Sequence, residues 1–104
     1  MEINIARDFS VTPAGRFIKD GPFSGEDFRK KLLEPHFFNE STEKITINFD
    51  GVEGYSTAFL EEAFGGLVRI FGVEVVKNRL SFISIEDPIL IKEVNHYIEK
   101  AKSK

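Results

Sequence analysis

Between residues 45 and 71 the spacing of apolar residues changes once, and that change constrains the fold more than any other feature of the chain. Ile45, Ile47 and Phe49 alternate with Thr46, Asn48 and Asp50, the period of a strand with one buried face. Leu60, Ala63, Phe64, Leu67 and Phe71 then recur at helical spacing, which predicts an amphipathic helix from about Thr57 to Phe71. The stretch from Phe49 to Leu60 therefore reads as a strand end, a tight polar turn and a helix start. A helix start leaves backbone N–H groups without intrahelical partners at the positive end of the helix dipole. Ser56 and Thr57 stand there, where hydroxyls cap the helix, hold an anion or accept a phosphoryl group.

The rest of the chain extends the same unit. Ile3 and Ile5 alternate with Glu2 and Asn4, a half-buried strand. Asp8, Ser10, Pro13 and Gly15 mark a turn over residues 8–15. Arg16 to Lys19 reads as a second strand, hairpin-paired with the first and stopped by Asp20-Gly21-Pro22. Ser24 is a good helix N-cap, with Asp27 at the capping-box position and Phe23 and Phe28 at the staple positions. That helix is expected to stop near Glu34, before Pro35. Residues 39–43 form a polar loop, and residues 72–79 give no clear signal. Leu80 to Ile85 reads as a strand. Asp87 and Pro88 then open a final helix with the stripe Leu90, Ile91, Val94, Tyr97, Ile98 and Ala101. Gly65 and Gly66 lie inside the second helix at a cost of about 1 kcal/mol each, which points to close approach of that helix to a strand.

The expected order is β-β-α-β-α-β-α. Strand–helix–strand units cross over right-handed between parallel strands, so the last three strands should be parallel, with the first antiparallel beside them. Thr46, Asn48 and Asn4 on the alternate positions suggest helices mainly on one face of the sheet. In such a sheet the strand C-termini and helix N-termini share one rim, where ligands usually bind. That rim would carry Asp20, Ser24, Asp50, Glu53, Ser56, Thr57 and Asp87.

Composition narrows the function. A chain of 104 residues, 41% hydrophobic and 30% charged, fits a single domain over residues 1–104 with one core. With 14 Lys and Arg against 17 Asp and Glu, the net charge is −3, unlike a general nucleic-acid binder. The absence of cysteine excludes disulfides, thiol nucleophiles and cysteine metal sites. No apolar run approaches a membrane span and no signal pattern opens the chain, so a cytoplasmic protein is expected.

Each candidate residue has a plain and a sharper reading. For Ser56 and Thr57 the plain one is a helix cap, worth about 1 kcal/mol. The sharper one is a phosphoacceptor or partner contact, flanked by Asp50, Glu53 and Tyr55. Arg7 and Arg16 flank the first turn and either form surface ion pairs or, with Asp20 and Ser24, contact an anion or partner. The acidic rim either caps helices or, in an enzyme, holds a divalent ion through Asp20, Asp50 and Glu53. No recognised metal-loop spacing, nucleophile elbow or phosphate-loop fingerprint is present, so neither cofactor nor metal is expected.

The run from Ile45 through Glu53, the hydroxyl-bearing turn and Phe59-Leu60 resembles STAS domains, which are shared by anti-sigma-factor antagonists and sulfate transporters. The whole chain is similar to a bacterial STAS-like family of unknown function. The similar stretches are Arg7-Asp8-Phe9-Ser10, Gly15-Arg16, Asp20-Gly21-Pro22-Phe23-Ser24-Gly25-Glu26 and Phe59-Leu60-Glu61-Glu62-Ala63-Phe64-Gly65. The resemblance implies a four- or five-stranded mixed sheet with helices packed on it. It also implies a non-enzymatic, regulatory role in partner switching, in which the domain binds another protein; the half-covered sheet face leaves a monomer or a weak homodimer as the expected state. In anti-sigma antagonists a kinase of the histidine-kinase-like ATPase fold phosphorylates a serine at the start of the second helix. Ala58 holds that place here, so Ser56 or Thr57 would serve only in a shifted register. Two other readings remain: a nucleotide- or anion-sensing module, and a divalent-metal enzyme using the acidic rim.

Overall fold

The computed structural model describes residues 1–38 and 42–101. The expected polar loop at 39–43 lies partly outside the described residues.

Three short strands, β1 (Glu2–Asn4), β2 (Ile45–Asn48) and β3 (Leu80–Ile83), form one sheet in the order β1-β2-β3. Both pairings are parallel, with Ile3 opposite Ile47 and Ile47 opposite Phe82. The expected mixed sheet of four or five strands is thus a parallel sheet of three among the described residues, and β1 is not antiparallel. The expected strand at Arg16–Lys19 is absent because its backbone groups are engaged elsewhere. The Arg16 carbonyl accepts the Glu26 N–H at 3.0 Å, and the Phe17 N–H donates to the Asp20 carboxylate at 2.9 Å. The Ile18 N–H donates to the Glu26 carboxylate at 2.9 Å. A single 3-10 turn, Ile18–Asp20, replaces the strand.

β1 is also shorter than expected. Asn4 accepts the Arg7 N–H at 2.9 Å and caps a one-turn helix, α1 (Ile5–Asp8). Ile5 is still fully buried, but as the first residue of that turn.

The first long helix, α2, spans 25–37, and Ser24 caps it by accepting the Asp27 N–H at 3.1 Å. It does not stop before Pro35. Its middle, Arg29–Leu33, is π-helical, with the Glu34 N–H reaching back to the Arg29 carbonyl. The wider turn just ahead of the proline lets the helix continue where a tight α-turn would clash with the ring.

The second long helix, α3, spans 57–71 as expected, with a π-helical middle at Glu61–Gly65. Gly72, at φ +94°, separates it from α4 (Val73–Arg79), the stretch without a sequence signal. The last helix, α5 (Ile89–Ala101), buries Leu90, Val94, Ile98 and Ala101.

Two helical glycines set how closely α2 and α3 approach. A Cβ on Gly25 would stand 2.5 Å from the Phe59 carbonyl oxygen, and one on Gly66 would stand 2.6 Å from Nη1 of Arg29. Gly65 faces the Glu61 carboxylate and Arg69. The expected reason for Gly65 and Gly66, contact with a strand, gives way to charged side chains between the helices. Arg29 is buried there, donating to Glu62 at 2.6 Å and to Glu34 at 2.8 Å. A buried charge needs such partners.

Phenylalanine fills the core between helices and sheet. Phe28, Phe59 and Phe64 are fully buried with Ile5, Ile45 and Ile47. Ring centroids lie 5.6 Å apart for Phe28 and Phe59 and 5.5 Å apart for Phe64 and Phe82. The alternate strand residues Glu2, Asn4, Thr46, Asn48 and Ser81 are exposed or half-buried, so one sheet face carries polar side chains. At the opposite end from the rim, Arg79 stacks on Phe37 and donates to the carbonyls of His36 and Glu43, tying α2 to the approach to β2. Among the described residues no helix is long and apolar enough to cross a membrane.

Candidate functional site

Because all three strands are parallel, the chain leaves each one at the same edge of the sheet, and the long helices α2, α3 and α5 begin there. The residues between Phe9 and Phe23 fill the gap as a strap. The Val11 carbonyl accepts the Glu53 and Gly54 N–H groups at 2.7 and 3.3 Å, and the Pro13 carbonyl accepts that of Ser56 at 3.3 Å. Further on, the Gly15 and Arg16 carbonyls accept the Gly25 and Glu26 N–H groups at 2.9 and 3.0 Å. Gly15 turns the strap with φ +93°, a backbone conformation that glycine adopts without the steric penalty of a Cβ. The Gly25, Glu26 and Asp27 N–H groups that open α2 are therefore bonded within the chain, as are the Ser56 and Phe59 N–H groups at the start of α3, and the donors that an anion would use at the α2 terminus are occupied.

Ser56 caps α3. Its hydroxyl oxygen accepts the N–H of Phe59 and the N–H of Gly15, each at 3.1 Å, and the residue is half-buried. Thr57, the first residue of α3, is exposed, and its hydroxyl has no hydrogen-bond partner among the described residues. Ser24 is fully buried with its hydroxyl in the α2 cap. Asp20 is exposed and accepts the Phe17 N–H.

The turns after β2 and β3 are clipped together. Asp50 accepts the Glu86 N–H at 2.9 Å, and Glu86 in turn accepts the Gly51 N–H at 2.8 Å. Asn4, at the end of β1, donates its side-chain amide to the Asp50 carbonyl at 3.4 Å. Asp50 thus joins the three strand ends. Glu53 is exposed. The Tyr55 hydroxyl donates to Glu93 on α5 at 3.4 Å, and its pKa is raised first by burial and then by the Glu93 charge.

The structure gives the two arginines different partners. Arg7 is exposed and holds its neighbour Asp8 with two hydrogen bonds, at 2.8 and 2.9 Å. Those bonds draw the Asp8 carboxyl below its ordinary range. Arg16 reaches from the strap to α3, where it bonds Glu61 and lies 3.5 Å from Glu62. Among the described residues no three histidine, aspartate or glutamate side chains gather as a metal-binding group.

Sequence reasoning did not single out two features of this end of the molecule. One is the strap, whose bonds are long-range backbone contacts with no signature in residue spacing. The other is the ion network in which Arg16, Arg29 and Arg69 meet Glu61 and Glu62. Its trace was the Glu61-Glu62 pair inside an amphipathic helix, with Arg69 two turns on. The rim also exposes aliphatic surface: Ile85 beside the Asp50–Glu86 clip, Ile89 at the start of α5, and Val11 on the strap.

No curated protein and no solved structure matches the chain. The family described as a STAS-like domain of unknown function (DUF4325) matches residues 24–90, which run from the cap of α2 across β2, α3, α4 and β3 into the first turn of α5. The match covers more than half of the chain and includes the starts of all three long helices at the rim, and the chain belongs to that family.

Proposed function

We propose that the domain is a non-enzymatic regulatory module that binds another protein across the rim, with Thr57 at the centre of the contact. The carrying observation is the contrast between two adjacent hydroxyls. Ser56 is committed to the cap and the strap, whereas Thr57 is exposed with its hydroxyl unengaged. Asp50, Glu53 and Tyr55 lie in the turn that leads to it, and Ile85 and Ile89 supply the apolar surface that protein interfaces need.

The same contrast supports a phosphorylation-controlled version of this reading. A phosphoryl group on Thr57 adds a charge of about −1.5 to −2. At the first position of a helix that charge is compatible with the dipole and leaves α3 folded. Its effect falls on the partner, by repulsion from an acidic surface or by blocking the approach. Kinases of the histidine-kinase-like ATPase fold are the partner class that the STAS resemblance suggests.

Affinity capture with immobilised wild type, Thr57→Ala and Thr57→Asp proteins tests the proposal, with circular dichroism confirming that each is folded. Wild type and Thr57→Ala should retain the same partner, and Thr57→Asp should lose it. An Ile85→Asp, Ile89→Asp double variant should lose it too. If all four proteins retain the same set, the rim is not the contact surface.

A further inference from the structure

A concave site opens beside the rim, between the strap, α3 and the C-terminal half of α5. It is an open cleft of about 840 Å³, within the range of about 300–1,000 Å³ typical of small-molecule clefts. Its walls combine two chemistries. Phe17 and Tyr97 provide aromatic surface, and Phe17 is 40% exposed despite its size. Arg16, Arg69 and Lys100 provide positive charge against Glu61 and Glu62.

The two arginines converge on a single carboxylate. Arg69 donates to both oxygens of Glu61, at 2.6 and 3.2 Å, and Arg16 bonds Oε1 of the same group. Glu62 offers them less. Its Oε1 lies 3.5 and 3.6 Å from the two guanidinium groups, while its Oε2 is taken by buried Arg29 at 2.6 Å. Each guanidinium has five N–H donors, so one shared carboxylate leaves most of that capacity unused. The cleft therefore sets two guanidinium groups with spare donors between aromatic walls, on a chain whose net charge is −3.

We propose that this cleft binds a small anionic ligand with an aromatic ring, of the aryl phosphate or aryl carboxylate class. The anion takes the Arg16 and Arg69 donors in competition with Glu61, and the ring lies against Phe17 and Tyr97. Planar, bidentate recognition of phosphate or carboxylate is what paired guanidinium groups do best. The proposal does not rest on the protein-binding reading of the rim.

The test is an NMR titration of the full chain with phenyl phosphate, with benzoate, inorganic phosphate and benzyl alcohol as comparison probes. Phenyl phosphate or benzoate should shift the amides of Phe17 and Tyr97 and the Nε–H signals of Arg16 and Arg69. The winning probe identifies the anion. Benzyl alcohol, which lacks the charge, should shift none of them. Glu61→Gln releases the two arginines and should tighten binding about tenfold. Phe17→Ala, with circular dichroism confirming its fold, should weaken phenyl phosphate binding and leave inorganic phosphate unchanged. Shifts confined to other parts of the molecule, or an affinity that neither Glu61→Gln nor Phe17→Ala moves, would overturn the assignment.

Discussion

Gly15 donates its backbone N–H to the hydroxyl oxygen of Ser56 at 3.1 Å, although the two residues sit in separate segments of the chain. The same oxygen caps α3 through Phe59. One hydroxyl therefore holds both the start of a helix and the strap that crosses it, while the hydroxyl next to it holds neither.

That asymmetry is measurable as stability. Ser56→Ala removes the acceptor of two N–H groups and should cost about 1–2 kcal/mol, the upper part of the range for lost caps. Thr57→Ala should stay within about 0.5 kcal/mol of wild type, as exposed substitutions usually do. Urea denaturation of the two variants compares them directly, and equal losses would show that Thr57 shares the cap.

The buried pair between the long helices should matter more. Arg29→Ala leaves Glu62 and Glu34 without their shared partner in a region where Arg29 and Glu62 are each only 7% exposed. Breaking one side of such a pair costs about 3–5 kcal/mol. Arg29→Lys should fall between Arg29→Ala and wild type, because one ammonium cannot reproduce the fork that reaches both carboxylates. Chemical denaturation monitored by circular dichroism gives the order.

Replacing glycine by alanine at two positions should have opposite consequences. At Gly25 the new methyl group would meet the Phe59 carbonyl at 2.5 Å, a backbone atom that cannot swing aside, so α2 and α3 must move apart. A loss of about 1–3 kcal/mol is expected, as for other overpacked sites. At Gly54 nothing lies within 4 Å of the added carbon, and Gly54→Ala should be neutral. Thermal unfolding of the two variants separates the cases.

The Arg16–Glu61–Arg69 cluster should make the domain sensitive to acid. The Glu61 carboxyl is held below its usual range chiefly by the Arg69 hydrogen bonds; partial burial opposes this and Arg16 adds to the lowering. A carboxyl depressed in the folded state contributes stability above its unfolded pKa, about 4.3. That contribution disappears as pH falls through the lower folded value. Urea midpoints measured from neutral pH into this acidic window should fall less steeply for Glu61→Gln than for wild type. Parallel curves would mean that the cluster adds no pH-dependent stability.

Local chemistry made part of this architecture readable. Ser24 and Ser56 act as caps because short hydroxyl side chains before an apolar stripe have few other uses, and α3, α5 and β2 announce themselves by period. Two misreadings and one silent stretch have physical causes. Arg16–Lys19 looked like a strand, but its hydrogen-bonding groups go to Glu26 and Asp20. Pro35 looked like a stop, but a π-helical turn makes room for it. Val73–Arg79 gave no signal, since the β-branched Val73, Val75 and Val76 favour strands by propensity while Val76 is buried in a helix. At Pro35 the helix itself changed its turn; in the other two cases contacts made in the folded chain overrode a local preference. For the site, the hydroxyls at the start of α3 could be named in advance. The cleft could not, because its walls come from three segments far apart in the chain.

Among the described residues the sheet has no hairpin, and that shapes how the protein reaches its folded state. Ile3 must find Ile47, and Ile47 must find Phe82, before any ladder hydrogen bond forms. Each of those closures spans a helical segment, so no strand pair can nucleate on its own. Chains dominated by such distant pairings fold slowly. In this one the phenylalanine cluster of α2 and α3 supplies the apolar surface against which the three strands pack once both closures are made.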